Sequence, residues 1–350
     1  MKKIAIIGSG FFGISSALIL SKKNQVHIYE KNDSLLCGAS RANQMRFHMG
    51  YHYPRSAKTL KEISKNSREF KNFFGVKIFG NTKNYYGISK YKSKTSFKTY
   101  LKFLKKNKLT YTQRGGRYFS HNVEGSILSK EKILKYFNIK KIIINKLKRN
   151  RNIKVFLKRE FNKKFLKDYN HIIICTYDQN NKVLMKLGFK PKKKYKFELV
   201  EKIIVKLPKK YINKSFMILD GKFVCLDPYL GTKYHLLSDN LSSKLETVKS
   251  YLPKFKNKKM KYLNSPAFYC YNHSNFEKFI KNGKKFLPFL KDAKYIKSFF
   301  ITRTLELNKE KTDERLSNII KINKQVYTIF SGKWNTSIGV AKQLEDKLND

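Results

Sequence analysis

Lys3 to Ile7 is a short apolar run after a basic start, the pattern of a fully buried strand. Apolar residues continue from Phe11 to Ser21 over the length of a helix. Gln25 to Glu30 follows as a second strand, with Val26 and Ile28 inside. Lys31 to Tyr53 is polar and turn-forming. Ser56 to Phe74 has helical spacing, with Leu60, Ile63 and Phe70 on one face, and Gly75 stops it. Val76–Phe79 and Tyr85–Ser89 read as strands and Phe97–Lys106 as a helix. Ser129–Tyr136 reads as a helix with Ser129 as N-cap and Glu131 in its first turn. His171–Cys175 is another buried strand. From Phe197 to Thr304, runs such as Leu199–Leu207 and Phe216–Leu219 alternate with turns at Asp220-Gly221 and Asp227-Pro228, which predicts a largely antiparallel sheet. Gln325–Phe330 is a late strand, Ser331-Gly332 a turn, and Ile338–Leu348 a closing helix. No internal repeat is present.

A chain of 350 residues exceeds what one compact core usually holds, so two domains are expected. Its 41% apolar content is enough to build them and excludes a disordered polycation. The formal net charge of +53 changes the picture most. Only 11 of the 77 basic residues are Arg, and the lysines run from Lys2 to Lys347. An AT-rich coding bias accounts for the lysine but not for the scarcity of Asp and Glu. A nucleic-acid binder calls for a docking motif or a concentrated stripe with arginine, and neither is present, so no specific nucleic-acid partner is expected. Attraction to a small anionic substrate, or peripheral contact with an anionic membrane, is the third reading and stands beside coding bias. Cys37, Cys175, Cys225 and Cys270 lie far apart without CxxC spacing, so neither a metal site nor a disulfide framework is expected. The apolar N-terminus lacks a cleavage signal before Ser21-Lys22-Lys23 and is broken by glycines, which argues against a signal peptide. A cytoplasmic location, peripheral to the inner membrane face, is the expectation.

Those glycines form the strongest local signal. Gly8-Ser9-Gly10-Phe11-Phe12-Gly13 follows the first strand and opens the first helix. Gly8 permits the tight turn, Gly10 lets the backbone approach a pyrophosphate, and Gly13 lets helix and strand pack closely. The helix N-terminus offers free N–H groups to phosphate. Glu30 ends the second strand, where a carboxylate accepts hydrogen bonds from ribose hydroxyls. Strand, turn, helix and acid together predict a dinucleotide-binding βαβ unit over residues 1–30.

The next segment separates FAD from NAD. Cys37-Gly38-Ala39-Ser40-Arg41-Ala42-Asn43-Gln44 leads into Arg46-Phe47-His48-Met49-Gly50-Tyr51-His52-Tyr53-Pro54. This resembles the D-amino acid oxidase-like (DAO) superfamily of FAD-dependent oxidoreductases, where a Gly-Ala-Ser turn and an H-x-G segment lie along pyrophosphate and flavin. Asp168 to Tyr177 resembles the family strand that ends at the flavin, although Cys175-Thr176-Tyr177 stands where many members read A-T-G. Asp220-Gly221-Lys222-Phe223 to Pro228 and Thr312-Asp313-Glu314-Arg315 resemble substrate-domain segments of DAO-like proteins found with surface-polysaccharide biosynthesis genes. Phe330-Ser331-Gly332-Lys333-Trp334-Asn335-Thr336 stands in the place of the C-terminal flavin-contacting loop.

The resemblance implies an α/β fold: a Rossmann-like FAD-binding domain of the glutathione-reductase βαβ type, joined to a substrate domain on an antiparallel sheet. The expected boundaries are 1–90, 115–190 and 320–350 for the first and 191–319 for the second. FAD is expected to touch Gly8, Ser9, Gly10, Phe11, Phe12, Gly13, Glu30, Lys31, Ser40, Arg41, Asn43, Gln44, His48, Thr176, Gly332, Lys333, Trp334, Asn335 and Thr336. His48 and Tyr51 are the candidate catalytic residues beside the flavin, within the cluster completed by His52 and Tyr53. Arg303 and Arg315 are isolated guanidiniums suited to a substrate carboxylate or phosphate, or to ion pairs with Glu306, Asp313 or Glu314. The expected activity is oxidation of a C–N or C–O bond of a small, anionic substrate by hydride transfer to flavin N5. The rival readings are a non-redox flavoenzyme such as a sugar mutase, and a non-enzymatic basic protein that binds nucleic acid or membrane.

Overall fold

The computed structural model describes residues 1–221 and 223–349. Lys222, part of the segment that resembles a substrate-domain motif, lies outside the described residues.

Lys3–Ile7, Phe11–Leu20 and Gln25–Tyr29 form strand, helix and strand as the pattern predicts. The two strands pair in parallel, Lys3 opposite Gln25 and Ile7 opposite Tyr29. They sit inside a six-stranded sheet whose order is 318–321, 326–330, 171–174, 3–7, 25–29 and 153–156. Five of those strands run parallel, and Asn318–Lys321 closes one edge antiparallel. The helix Phe11–Leu20 is buried on every side, which explains why it is apolar all round. It packs against the C-terminal helix Ser337–Asn349, and the two are tied by a hydrogen bond of 2.8 Å between the Ser15 and Ser337 hydroxyls.

The second sheet has nine strands in the order 244–250, 195–206, 235–239, 224–228, 214–219, 83–89, 123–129 and 111–113, with Lys294–Leu305 on the other edge of 195–206. It is antiparallel except where 214–219 meets 83–89. The expected α/β architecture with an antiparallel second sheet is therefore present. Its membership is broader than expected, because strands at 83–89 and 123–129 come from stretches assigned by sequence to the dinucleotide-binding part. Tyr85 stacks on Phe216 there, and aromatic packing of this kind holds those strands to the second sheet.

Two local readings are corrected. Val76–Ile78 is a 3-10 turn rather than a strand. Ser129–Tyr136 is not a helix: Val123–Ser129 is a strand, Lys132–Ile133 pairs with Arg46–Phe47, and the helix runs over Tyr136–Lys148. An N-cap and an early acid look alike whether a helix follows or not. Here burial of Glu131 beside Arg46 decides the matter.

Candidate active site

Between the sheets lies a cleft of about 660 Å³, a volume typical of ligand pockets. The glycine turn forms its floor. Gly8 has φ +100, and a Cβ there would lie 2.8 Å from the Cys175 carbonyl oxygen. A Cβ on Gly13 would meet the Gly8 carbonyl oxygen at 1.9 Å, so Gly13 acts behind the cleft wall, by letting helix and strand touch. Gly10 is different: its Cβ position meets only the Ser40 hydroxyl, at 3.4 Å. The open side of Gly10 faces the space a ligand takes. The helix that follows has no side-chain N-cap, so its first-turn N–H groups remain for an anion. A bare helix end above a glycine turn fits a pyrophosphate.

Beyond the turn, Glu30, Lys31, Asn32, Ser40, Asn43, Gln44, His48, Thr176, Gly332, Lys333 and Trp334 line the cleft. Ser9, Phe11 and Phe12 line it as well. Both Glu30 oxygens already hold protein donors. One accepts from the Ser9 amide at 3.0 Å and hydroxyl at 2.7 Å, the other from the Asn32 amide at 3.0 Å and side chain at 2.7 Å. Tyr177 stands where the family glycine is expected and keeps the left-handed backbone, with φ 58. Its hydroxyl accepts the Thr304 amide at 2.9 Å, which ties that turn to the second sheet.

Besides Gly13, four expected site residues fall outside the lining. Tyr51 is buried, stacks on Tyr86, and donates to the Thr110 carbonyl oxygen at 2.6 Å. The left-handed Gly50, φ +114, reverses the chain there and turns Tyr51 away while His48 and His52 stay in the wall. Arg41 faces Cys37 and Tyr136 instead of the cleft. Asn335 donates to the His48 carbonyl oxygen at 2.9 Å and to the Ser67 hydroxyl at 2.6 Å, so it positions His48 from behind. Thr336 turns its hydroxyl onto the Lys333 carbonyl oxygen at 2.8 Å and caps the loop internally.

Both histidines in the wall are held neutral. Burial is the main cause for His48, followed by Lys333, His52 and Arg46; for His52 it is burial, then Lys333 and Arg46. Each pKa lies well below the ordinary value of 6.5. Neither Nδ1 has a hydrogen-bond partner among the described residues, and the His48 Nδ1 lies 3.7 Å from Glu131.

Arg46 organises the wall beneath them. It is fully buried, with Nε 3.1 Å and Nη2 2.7 Å from the two Asp227 oxygens, Nη2 2.6 Å from the Ser215 hydroxyl, and Nη1 3.4 Å from Glu131. Tyr86 also donates to Glu131. Glu131 in turn accepts the Met49 amide at 3.0 Å, next to His48. The sequence reading missed Glu131 and Asp227 because their partner is remote in the chain.

Arg303 and Arg315 both reach the cleft wall, but each has a protein carboxylate. Arg303 pairs with Glu198, directly opposite it on the neighbouring strand, with Nε 2.6 Å from the carboxylate. Its expected partners were Glu306, Asp313 and Glu314. Arg315 pairs with Asp313. Among the described residues, six cations of the lining have no acidic partner; Lys31, Lys94, Arg159 and Lys182 are exposed, whereas Lys202 and Lys333 are not. Lys202 was missed, yet its signal is visible: Lys196, Glu198, Val200 and Lys202 alternate along one strand, and all four line the cleft.

A βαβ dinucleotide floor, a second antiparallel sheet and an intervening cleft define a two-sheet flavoenzyme fold. Residues 3–131 match the family model described as DAO, FAD dependent oxidoreductase. No curated protein matches the chain. Among solved structures, the chain is similar to glycine oxidase from Geobacillus kaustophilus at 10% identity, covering 100% of this chain and 95% of that one with a TM-score of 0.68. It is similar to L-proline dehydrogenase from P. horikoshii at 12% identity, covering 99% and 92% with a TM-score of 0.72. It is also similar to L-alpha-glycerophosphate oxidase from Mycoplasma pneumoniae with FAD bound, at 15% identity, covering 100% and 96% with a TM-score of 0.69. Identities this low speak for the fold alone. With the match to the DAO model over the glycine turn, Glu30, His48 and Glu131, residues 3–131 are similar to that family; the protein is an FAD-dependent oxidoreductase, and FAD is its cofactor.

Proposed function

We propose that the protein oxidises a C–N or C–O bond of a small anionic substrate held between the two sheets. The observation that carries this reading is the cleft itself. One continuous cavity joins the glycine turn to the neutral histidine pair and to the lysines of the opposite wall.

Bound FAD supplies the hydride acceptor. Gly8–Gly10 and the helix end behind them would hold its pyrophosphate, with Ser40, Asn43 and Gln44 along the next part of the site. Glu30 would take the ribose hydroxyls by exchanging donors with Ser9 and Asn32. Removing a hydride from a C–N or C–O carbon also requires loss of the N–H or O–H proton. His48 suits that task, because its imidazole is neutral and the Nδ1 edge is turned toward Glu131, which leaves Nε2 for the substrate. His52 stands 5.8 Å away, ring to ring, as a neutral neighbour that adds no charge. The second sheet excludes water, and Lys202 from it and Lys333 from the loop after Val326–Phe330 are the cations that orient the anion.

We further propose a substrate among sugar or amino-acid derivatives of cell-surface metabolism, and a cytoplasmic site of action at the inner face of an anionic membrane. The net charge of +53 supports attraction to such a surface. No described helix is long and apolar enough to cross a membrane.

The test is anaerobic mixing of the FAD-loaded protein with candidate amino acids, hydroxy acids and sugar phosphates. Substrate oxidation in step with flavin bleaching is the expected result. A converted substrate with the flavin still oxidised at the end of the reaction would instead establish a non-redox flavoenzyme.

A further inference from the structure

Among the described cations of the cleft lining, the exposed Lys31, Lys94, Arg159 and Lys182 have water in place of a carboxylate, and Lys186, Lys196, Lys244 and Lys309 each pair with a glutamate. Arg46, Arg55, Arg303 and Arg315 each have a carboxylate: Asp227, Asp220, Glu198 and Asp313 respectively. Lys202 and Lys333 line the same cleft and have no acidic partner or hydrogen bond among the described residues. Lys333 has only the face of Tyr53, 5.0 Å from its ammonium nitrogen. Lys202 lies on a strand of the second sheet and Lys333 on the loop after a strand of the first, so one cavity receives a lysine from each sheet.

An unpaired ammonium out of water is costly, and both amines respond by holding their protons loosely. Burial is the main cause in each case. It brings Lys333 down to about 7, helped by Arg315, Arg303 and Lys202 and opposed by Asp313. It brings Lys202 down to about 8, opposed by Cys225 and Asp227 and helped by Arg303. Unpartnered buried polar atoms belong to residues that line the same space: Nδ1 of His52 and the hydroxyl of Thr302.

We propose that Lys202 and Lys333 form a two-sided clamp for a tetrahedral dianion, so that the substrate carries a phosphate-type group. Arg46, Arg55, Arg303 and Arg315, whose planar forks suit a planar carboxylate, are already occupied by carboxylates of the protein, and Arg159 is exposed to water. The two remaining cations are point charges on flexible stems. A dianion between them restores both protons and neutralises both charges, whereas a carboxylate monoanion leaves one uncompensated. Lysine serves as a point-charge phosphate ligand where bidentate geometry is not required. The proposal rests on the reading of this cleft as the substrate site.

The experiment is calorimetric titration of the FAD-loaded protein at pH 8 with sulfate and, separately, acetate. Both probes keep a constant charge around that pH, and the glycine turn is taken by the cofactor. Repeating it in buffers of different ionisation enthalpy counts the protons taken up. Sulfate should bind about tenfold or more tightly than acetate, with uptake of roughly one proton per sulfate, because both lysines become charged. Lys202→Gln and Lys333→Gln should each weaken sulfate about tenfold or more and reduce the proton uptake. Removing a buried unpaired amine does not threaten the fold, and the wild-type comparison needs no variant at all. Equal affinity for the two probes, or sulfate binding unchanged in both variants, overturns the clamp. Sulfate binding is read without turnover. A failed clamp therefore leaves the oxidoreductase reading standing, and a failed search for substrate oxidation leaves the clamp result standing.

Discussion

Three glycines in one turn act in different ways, and substitution should separate them. Gly13→Ala places a methyl group 1.9 Å from the Gly8 carbonyl oxygen, in contact with backbone that cannot yield. It should prevent folding, read as loss of soluble protein. Gly10→Val has room in the chain itself, with its nearest neighbour 3.4 Å away, but fills the space of the pyrophosphate. It should yield a folded protein, shown by an unchanged circular dichroism spectrum, that retains little FAD. A Gly10→Val protein with stoichiometric FAD would remove this turn from the cofactor site. Arg46 makes a second contrast. Arg46→Met leaves Asp227 and Glu131 buried without their cation and should cost about 3–5 kcal/mol in a urea denaturation series. Arg315→Ala breaks only a part-exposed pair with Asp313, worth at most about 1 kcal/mol of stability.

At the scale of elements, the helix Ala57–Phe74 shows how a local signal reaches the site. It buries Ile63, Phe70 and Phe74 and ends at a left-handed Gly75. Ser56 caps it by accepting the Thr59 amide at 3.3 Å and donates to the Thr59 hydroxyl at 2.7 Å. That same hydroxyl accepts the Arg315 amide at 2.9 Å. Ser56→Ala should therefore lower stability by about 1 kcal/mol, and hydrogen exchange at the Arg315 amide should quicken with it. Unchanged exchange there would separate the cap from the cleft loop. The strand Tyr195–Lys206 was legible as a strand, and its alternation puts Glu198 and Lys202 on the cleft side. The Ser129–Tyr136 reading failed at this same scale. Local cap chemistry was present, but pairing with Arg46–Phe47 across the fold outweighed it.

The whole molecule carries its charge in two forms. Lysines on the surface act through a field that salt screens over about 8 Å at physiological ionic strength. Added salt should slow second-order capture of an anionic substrate and leave flavin reduction in the bound complex nearly unchanged, as stopped-flow traces would show. The lysines of the cleft act on stability. Their folded pKa values, about 7 for Lys333 and about 8 for Lys202, lie below the ordinary 10.5. Between folded and ordinary values the unfolded chain holds protons that the folded one lacks, so their effect favours folding as pH rises from about 7 and is lost as pH falls. His48 and His52, lowered from 6.5, extend the same trend to the acid side, where the unfolded chain takes up protons first. The melting temperature of the FAD-free protein should climb from mildly acidic to mildly alkaline pH. Lys333→Gln should flatten that climb above neutrality, and an unaltered slope would place Lys333 in solvent.

The dinucleotide unit was decided by the sequence alone, because it is local. Strand, glycine turn, helix and Glu30 occupy thirty consecutive residues; Gly8 answers a backbone angle of its own and Gly13 a contact with Gly8, while Gly10 leaves space for the ligand. The alternation that built the second sheet was equally local. Tertiary structure alone decided which polar residues meet. Arg46 finds Asp227 and Glu131 across the fold, Asn335 holds His48 from the far end of the chain, and Tyr51 leaves the cleft because Gly50 reverses the backbone. It also decided which of many cations stay unpaired. Lysine is everywhere in this sequence, and only burial between two sheets, where water is excluded and acids are already engaged, distinguishes Lys202 and Lys333 from the rest.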